Sequence, residues 1–188
     1  MPTVDTKSVS RLFTQAQDQY RAGDWSGLYT TVTSLRDIDP TYEPVKVDGF
    51  YYVALRNRGI TDVQAGNLEI GLYDFALAEE IAPLDADAAN YRSWAIMYLN
   101  AGSWWSVNWQ NAVDQFASLY NSLPNLMDSS GITVTERYAR ALIGYGDTLQ
   151  QAYEWCNAVP QYEKSRSIYP VPGINDIITK AEEYCASP

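Results

Sequence analysis

The stretch GNLEIGLYDFALAEEIAP, residues 66–83, decides how this chain is read. Leu68, Gly71, Phe75 and Ala78 follow one another at spacings of three, four and three, which places them on one stripe of a helix. A small residue such as Gly71 lets a neighbouring helix approach closely, and the ring of Phe75 fills the groove beside it. Pro83 closes the segment, since proline lacks an N–H and disfavours helix in the residue before it.

The same frame recurs three more times without gaps. GDWSGLYTTVTSLRDIDP, residues 23–40, supplies Trp25, Leu28, Val32, Leu35 and Pro40. Residues 109–124 supply Trp109, Ala112, Phe116, Leu119 and Pro124, and residues 155–170 supply Trp155, Ala158, Tyr162, Ser165 and Pro170. Repetition on this scale marks a helical-repeat protein. Strand-like alternation is absent from the sequence, so the expected fold is all-α.

These segments resemble the second helix of a tetratricopeptide repeat (TPR), where a Gly-Asp-aromatic turn leads into Ala, an aromatic, Ala and Pro. The first helices agree less evenly. Tyr91, Trp94, Ala95 and Tyr98 fall at the family's positions in the third repeat, and Leu142, Tyr145, Gly146 and Leu149 in the fourth. The second keeps only Leu55 and Gly59, and the first offers Leu12, Gln15, Ala16 and Gln19. The resemblance implies a TPR-like αα-superhelix (a solenoid) of four helix pairs, with repeats at about 8–42, 45–85, 86–126 and 132–172. A capping helix at 173–186 carries Ile174, Ile177, Ile178, Ala181 and Tyr184 on one face, as a solenoid needs to cover its last apolar surface. Residues 1–7 are expected to be a flexible N-terminus, and 8–188 a single domain.

The closing prolines lie 43, 41 and 46 residues apart, against about 34 for a TPR and roughly 40–47 for HEAT-like repeats. Extra length near 41–51 and 125–138, and a wide turn at SWWSVN, explain the excess as insertions; a HEAT-like superhelix is the alternative. Asp24 is placed to N-cap one helix, and Thr133 with Glu136 has capping-box spacing before another.

Composition bounds the function. With 46% hydrophobic residues the chain is globular, and its net charge of −10 argues against nucleic acid and against anionic membrane surfaces. No apolar run is long enough to span a bilayer, so direct membrane insertion is not expected. There is no histidine, which removes His-based triads and His-containing metal sites. The carboxylate pairs Asp85/Asp87, Glu79/Glu80 and Glu182/Glu183 read as solvated helix ends. The EF-hand-like start at Asp85 lacks its glycine, and Ile96 stands where the bidentate Glu belongs. Gly144 and Gly146 lie inside a helix, not in a phosphate loop, and Cys156 has no His to activate it. No catalytic residue, metal or cofactor is expected; the chain reads as a non-enzyme whose partner is a protein or peptide.

In TPR proteins the partner groove is lined by first-helix side chains. Carried across, those positions are Phe13, Gln17, Tyr20 and Arg21, then Arg56 and Ile60, Arg92, Ile96 and Asn100, and Arg140, Ile143 and Asp147. Four of the nine arginines map to this face, one per repeat. Spaced guanidinium groups in an apolar trough suit an acidic or C-terminal peptide segment. Equally, these arginines could pair with Asp62, Asp147 or neighbouring helices. The Lys/Asn carboxylate clamp of chaperone-binding TPRs is absent, with Gln17 and Arg21 at the corresponding early positions. A second candidate is Trp104 and Trp105, which could stack on sugars as part of a cell-surface assembly or simply cover the end of the core.

Successive helices of an αα-superhelix run antiparallel, so Cys156, opening one helix, is expected beside Cys185, ending the next. A disulfide is predicted, with two unrelated thiols as the alternative. Such a bond points to an extracytoplasmic protein, here a fragment without its export signal or anchor. The start, MPTVDTKSVS, has no apolar signal region, and a cytoplasmic protein is the other case.

Overall fold

The structure, a computed structural model, describes residues 6–187. Of the expected flexible N-terminus, residues 1–5 lie outside the described residues, while Thr6 and Lys7 begin the first helix. Among the described residues the fold is all-α: α1 (Thr6–Ala22), α2 (Trp25–Ile38), α3 (Pro44–Gln64), α4 (Leu68–Glu79), α5 (Ala86–Ser103), α6 (Trp109–Tyr120), α7 (Val134–Gln151), α8 (Trp155–Ile168) and α9 (Ile174–Ala186). The one extended pairing among the described residues is an isolated antiparallel bridge between Met127 and Thr133. No described helix is long and apolar enough to cross a membrane.

Helix starts follow the sequence. Asp24 Oδ1 accepts from the Gly27 N–H at 2.9 Å, and Thr133 Oγ1 accepts from the Glu136 N–H at 3.3 Å. The Glu136 carboxylate turns to Arg140 rather than back to the cap. Asn108 caps α6 through the Asn111 N–H at 3.0 Å. The extra residues near 41–51 differ from expectation. Most of them are helical, because α3 already begins at Pro44, where proline's fixed φ suits the first helical position and Val47 reaches the core.

The chain divides into two compact units, Met1–Ala95 and Ile96–Pro188, with the boundary inside α5. In the first unit α1 packs on α2, α2 on α3 and α3 on α4. Ala16, Leu28, Val32, Leu35, Val47 and Ala54 form one buried cluster. Between α3 and α4 the glycines set the spacing. A Cβ added at Gly71 would sit 2.7 Å from the Gly59 carbonyl oxygen, and one at Gly59 would sit 2.6 Å from the Phe75 ring. A layered stack ties α2 to α3: Arg36 lies 4.1 Å over Tyr51, Tyr51 stacks on Tyr29 at 5.5 Å, and Arg58 lies 4.2 Å over Tyr29. Asp48 pairs with Arg36 at one end, and Asp74 lies 3.3 Å from Arg58 at the other.

The second unit repeats the glycine–aromatic contact. A Cβ at Gly146 would come within 2.4 Å of the Tyr162 ring, and one at Gly144 within 2.4 Å of Trp109. Helix α9 covers Ala158 and Tyr162 with Ile174, Ile178 and Ala181, and fully burying an isoleucine contributes about 1.5–3 kcal/mol. Cys156 and Cys185 are joined by a disulfide with Cα atoms 4.8 Å apart, as the antiparallel arrangement predicts. The long segment before α7 is held by Tyr98, whose hydroxyl donates to the Ile132 carbonyl (2.8 Å) and the Asp128 carboxylate (3.0 Å). Arg137 pairs with the same Asp128 and lies 4.9 Å from the Trp105 ring.

Candidate partner-binding face

In the first unit two of the expected residues of α1, Phe13 and Tyr20, meet a side chain of α3 that the sequence reading passed over. Phe50 lies 5.9 Å from Phe13 and 5.4 Å from Tyr20, measured between ring centres, and makes an aromatic seam between α1 and α3. Tyr42 meets Phe13 edge-on at 5.5 Å, and Trp25 meets Tyr20 at 6.2 Å. Tyr20 keeps 44% of its surface exposed, while Phe13, Gln17, Phe50 and Ile60 are half-buried. Phe50 escaped notice because it lies in the stretch that read as an insertion. Its period from Phe13 is invisible until α3 is known to start at Pro44.

The four expected arginines are all paired. Arg21 reaches Asp18 at 2.8 Å on its own helix. Arg56 donates twice to Asp85, at 2.9 Å each, and lies 3.6 Å from Asp87. The bond from Arg56 and one from the Ala88 N–H hold the Asp85 carboxyl below its usual range, and the Asp85 bond raises Arg56. Arg92 pairs with Glu79. In the second unit Arg140 pairs with Glu136 one turn away. None of these partners is Asp62 or Asp147: Arg21 and Arg140 pair within their own helices, while Arg56 and Arg92 reach neighbouring elements, as the alternative reading expected. Glu79 and Asp85, read from sequence as solvated, are therefore engaged, although both remain exposed.

Two of the remaining expected residues are engaged in the packing of the second unit. Ile143 packs against the cluster under α9, and Asp147 accepts from the Tyr162 hydroxyl at 2.8 Å. Burial, and then that bond, pushes the Tyr162 phenol above its usual range. Ile96 and Asn100 on α5 are exposed. The tryptophan pair separates: Trp105 meets Trp109 at 4.8 Å and Phe116 at 6.3 Å, covering the core, while Trp104 remains 37% exposed. A hollow of about 670 Å³ lies elsewhere, beside α1 at Arg11, Asp18, Gln19 and Asp24, and includes none of the expected groove residues. Comparison of the chain with protein-family models, curated proteins and solved structures finds no match.

Proposed function

We propose that this chain is a non-catalytic scaffold of TPR-like helix pairs, arranged as an αα-superhelix, that holds a partner protein or peptide on the first helices of its pairs. The observation that carries this reading is the seam of Phe13, Phe50 and Tyr20 across α1 and α3. It leaves aromatic surface open where a packed core would bury it. Aromatic anchors of this kind dominate interface energies. An acidic or C-terminal segment of the partner would have to exchange with Asp85, Glu79, Asp18 and Glu136 for the arginines, so apolar contact leads and charge follows.

Selection of peptides from a random library on the purified chain tests this. Selected peptides should bind at least about tenfold more weakly to Tyr20→Ala and Phe50→Ala variants that remain folded. Peptides indifferent to both substitutions would remove the groove from consideration. A second reading, a structural or carbohydrate-binding module of an extracytoplasmic assembly, is favoured by the Cys156–Cys185 bond and by the open indole of Trp104. Quenching of tryptophan fluorescence by added glycans, lost in Trp104→Ala, would support it.

A further inference from the structure

Three of the turns that join helix pairs share one hydrogen-bond pattern. After α1, the Gly23 N–H donates to the Tyr20 carbonyl and the Asp24 N–H to Gln19. After α3, Gly66 donates to Val63 and Asn67 to Asp62; after α7, Tyr153 donates to Gln150 and Glu154 to Leu149. This is the Schellman arrangement, whose pivotal residue adopts the left-handed conformation and is ordinarily glycine. Gly23 and Gly66 meet that demand with φ of 70° and 88°. In the third turn the position is held by Tyr153, at φ 63°. A bulky residue there is strained, and such strain concentrates at ligand sites. Packing does not repay it: the ring is 85% exposed, and among the described residues it meets no other aromatic ring and its hydroxyl has no hydrogen bond.

What the strain achieves is the presentation of a ring at a hollow of about 390 Å³. Tyr153, Trp155, Tyr184, Glu154, Asn157 and the disulfide line it. Tyr184 stacks on Trp155 at 4.4 Å and keeps 51% of its surface exposed. Asn157 Nδ2 donates to Glu154 Oε2 at 2.8 Å, which fixes the only charged lining side chain among the described residues. Among the described residues no cationic side chain lines the hollow, so an anionic ligand has no charge partner there. The ends of α7 and α9 and the start of α8 meet at this place, and two C-terminal dipole ends against one N-terminal end leave the local field negative.

We infer that this hollow binds an organic cation of the alkylammonium or quaternary ammonium type, either free or carried on a partner's side chain. Electron-rich ring faces beside one carboxylate attract such a group through cation–π and Coulomb interactions, and the chain's net charge of −10 favours its approach. The site is separate from the groove of α1 and α3 and does not depend on the scaffold reading.

Titrating the oxidised chain of residues 1–188 with tetramethylammonium chloride, against sodium chloride at equal ionic strength, tests it through the Trp155 indole resonance. A saturable shift is expected. Tyr153→Gly should weaken it at least about tenfold while melting no lower than the natural chain, because glycine relieves the strained turn. Tyr153→Phe should retain it, and Glu154→Gln should weaken it severalfold. Absence of saturation, a response that Tyr153→Gly leaves intact, or stronger binding of a methyl glycoside than of the cation would overturn the inference. A peptide carrying one trimethyllysine, titrated in parallel, separates the sources: tighter binding than the free ion assigns the cation to a partner chain, and weaker binding to a small molecule.

Discussion

At the scale of single residues, a buried carboxyl and a half-buried one respond to pH in opposite senses. Asp74 is 2% exposed, and its Oδ2, 3.3 Å from Arg58 Nε, lacks a hydrogen bond. Desolvation raises its carboxyl to about 6, against the pull of Arg58, from roughly 3.9 in the unfolded chain. The folded state therefore holds this proton more tightly, so the contribution is complete below about pH 4 and is lost as pH rises through about 6. Asp74→Asn should abolish that loss. Urea midpoints at pH 4.5 and 7.5 should show the variant gaining on the natural chain by about 1–3 kcal/mol at the higher pH; an unchanged difference would refute the assignment. Asp128 behaves in the reverse way. Burial works to raise it, but hydrogen bonds from Ser130, Arg137 and Tyr98 outweigh burial and hold it at about 2. Its contribution is present above about pH 4 and is lost as pH falls through about 2. Asp128→Asn should cost about 1–3 kcal/mol at pH 7, with the deficit shrinking on acidification.

At the scale of elements, helix packing rests on close approach, and two glycines test it against each other. Gly146→Ala drives a methyl into Tyr162 and should destabilise the second unit by about 1–3 kcal/mol. Gly102→Ala, near the end of α5 with nothing within 4 Å of the added carbon, should be neutral or stabilising by up to about 1 kcal/mol. Thermal melts of the two variants would show the contrast. Helix α9 depends on its covalent tether as well as on Ile174 and Ile178. Cys156→Ser with Cys185→Ser should lower stability by roughly 3–4 kcal/mol and speed amide exchange across α9 first. The stripes that build these elements were legible in the sequence because they are local: Leu68, Gly71, Phe75 and Ala78 declare one face without reference to the rest of the chain. The arginine partners were not, since a carboxylate such as Asp85 is chosen by the path of the turn between α4 and α5. Ile143 was assigned to a groove and lies in a seam because neighbouring positions on one helix face diverge only once α8 and α9 are placed. Tyr153 gave no signal at all, as nothing in a lone tyrosine announces a left-handed backbone.

At the scale of the molecule, the excess of 23 acidic over 13 basic residues coexists with a proposed partner face whose arginines are already neutralised. Binding that rests on Tyr20 and Phe50 should change by no more than about threefold between 50 and 500 mM salt, since screening acts on exposed charges. A steep decline measured by calorimetry would return the arginines to the leading role. The disulfide has a mechanical consequence of its own. It spans a sequence separation of 29 residues at the C-terminal end of the chain. Pulled from both ends, the oxidised protein cannot pay out that segment, and its fully stretched contour should fall short of the reduced chain by about 100 Å. Tension applied along the chain would unravel other helices while nearly all of α8 and α9 stayed outside the line of force, a closed loop carried along the taut polypeptide.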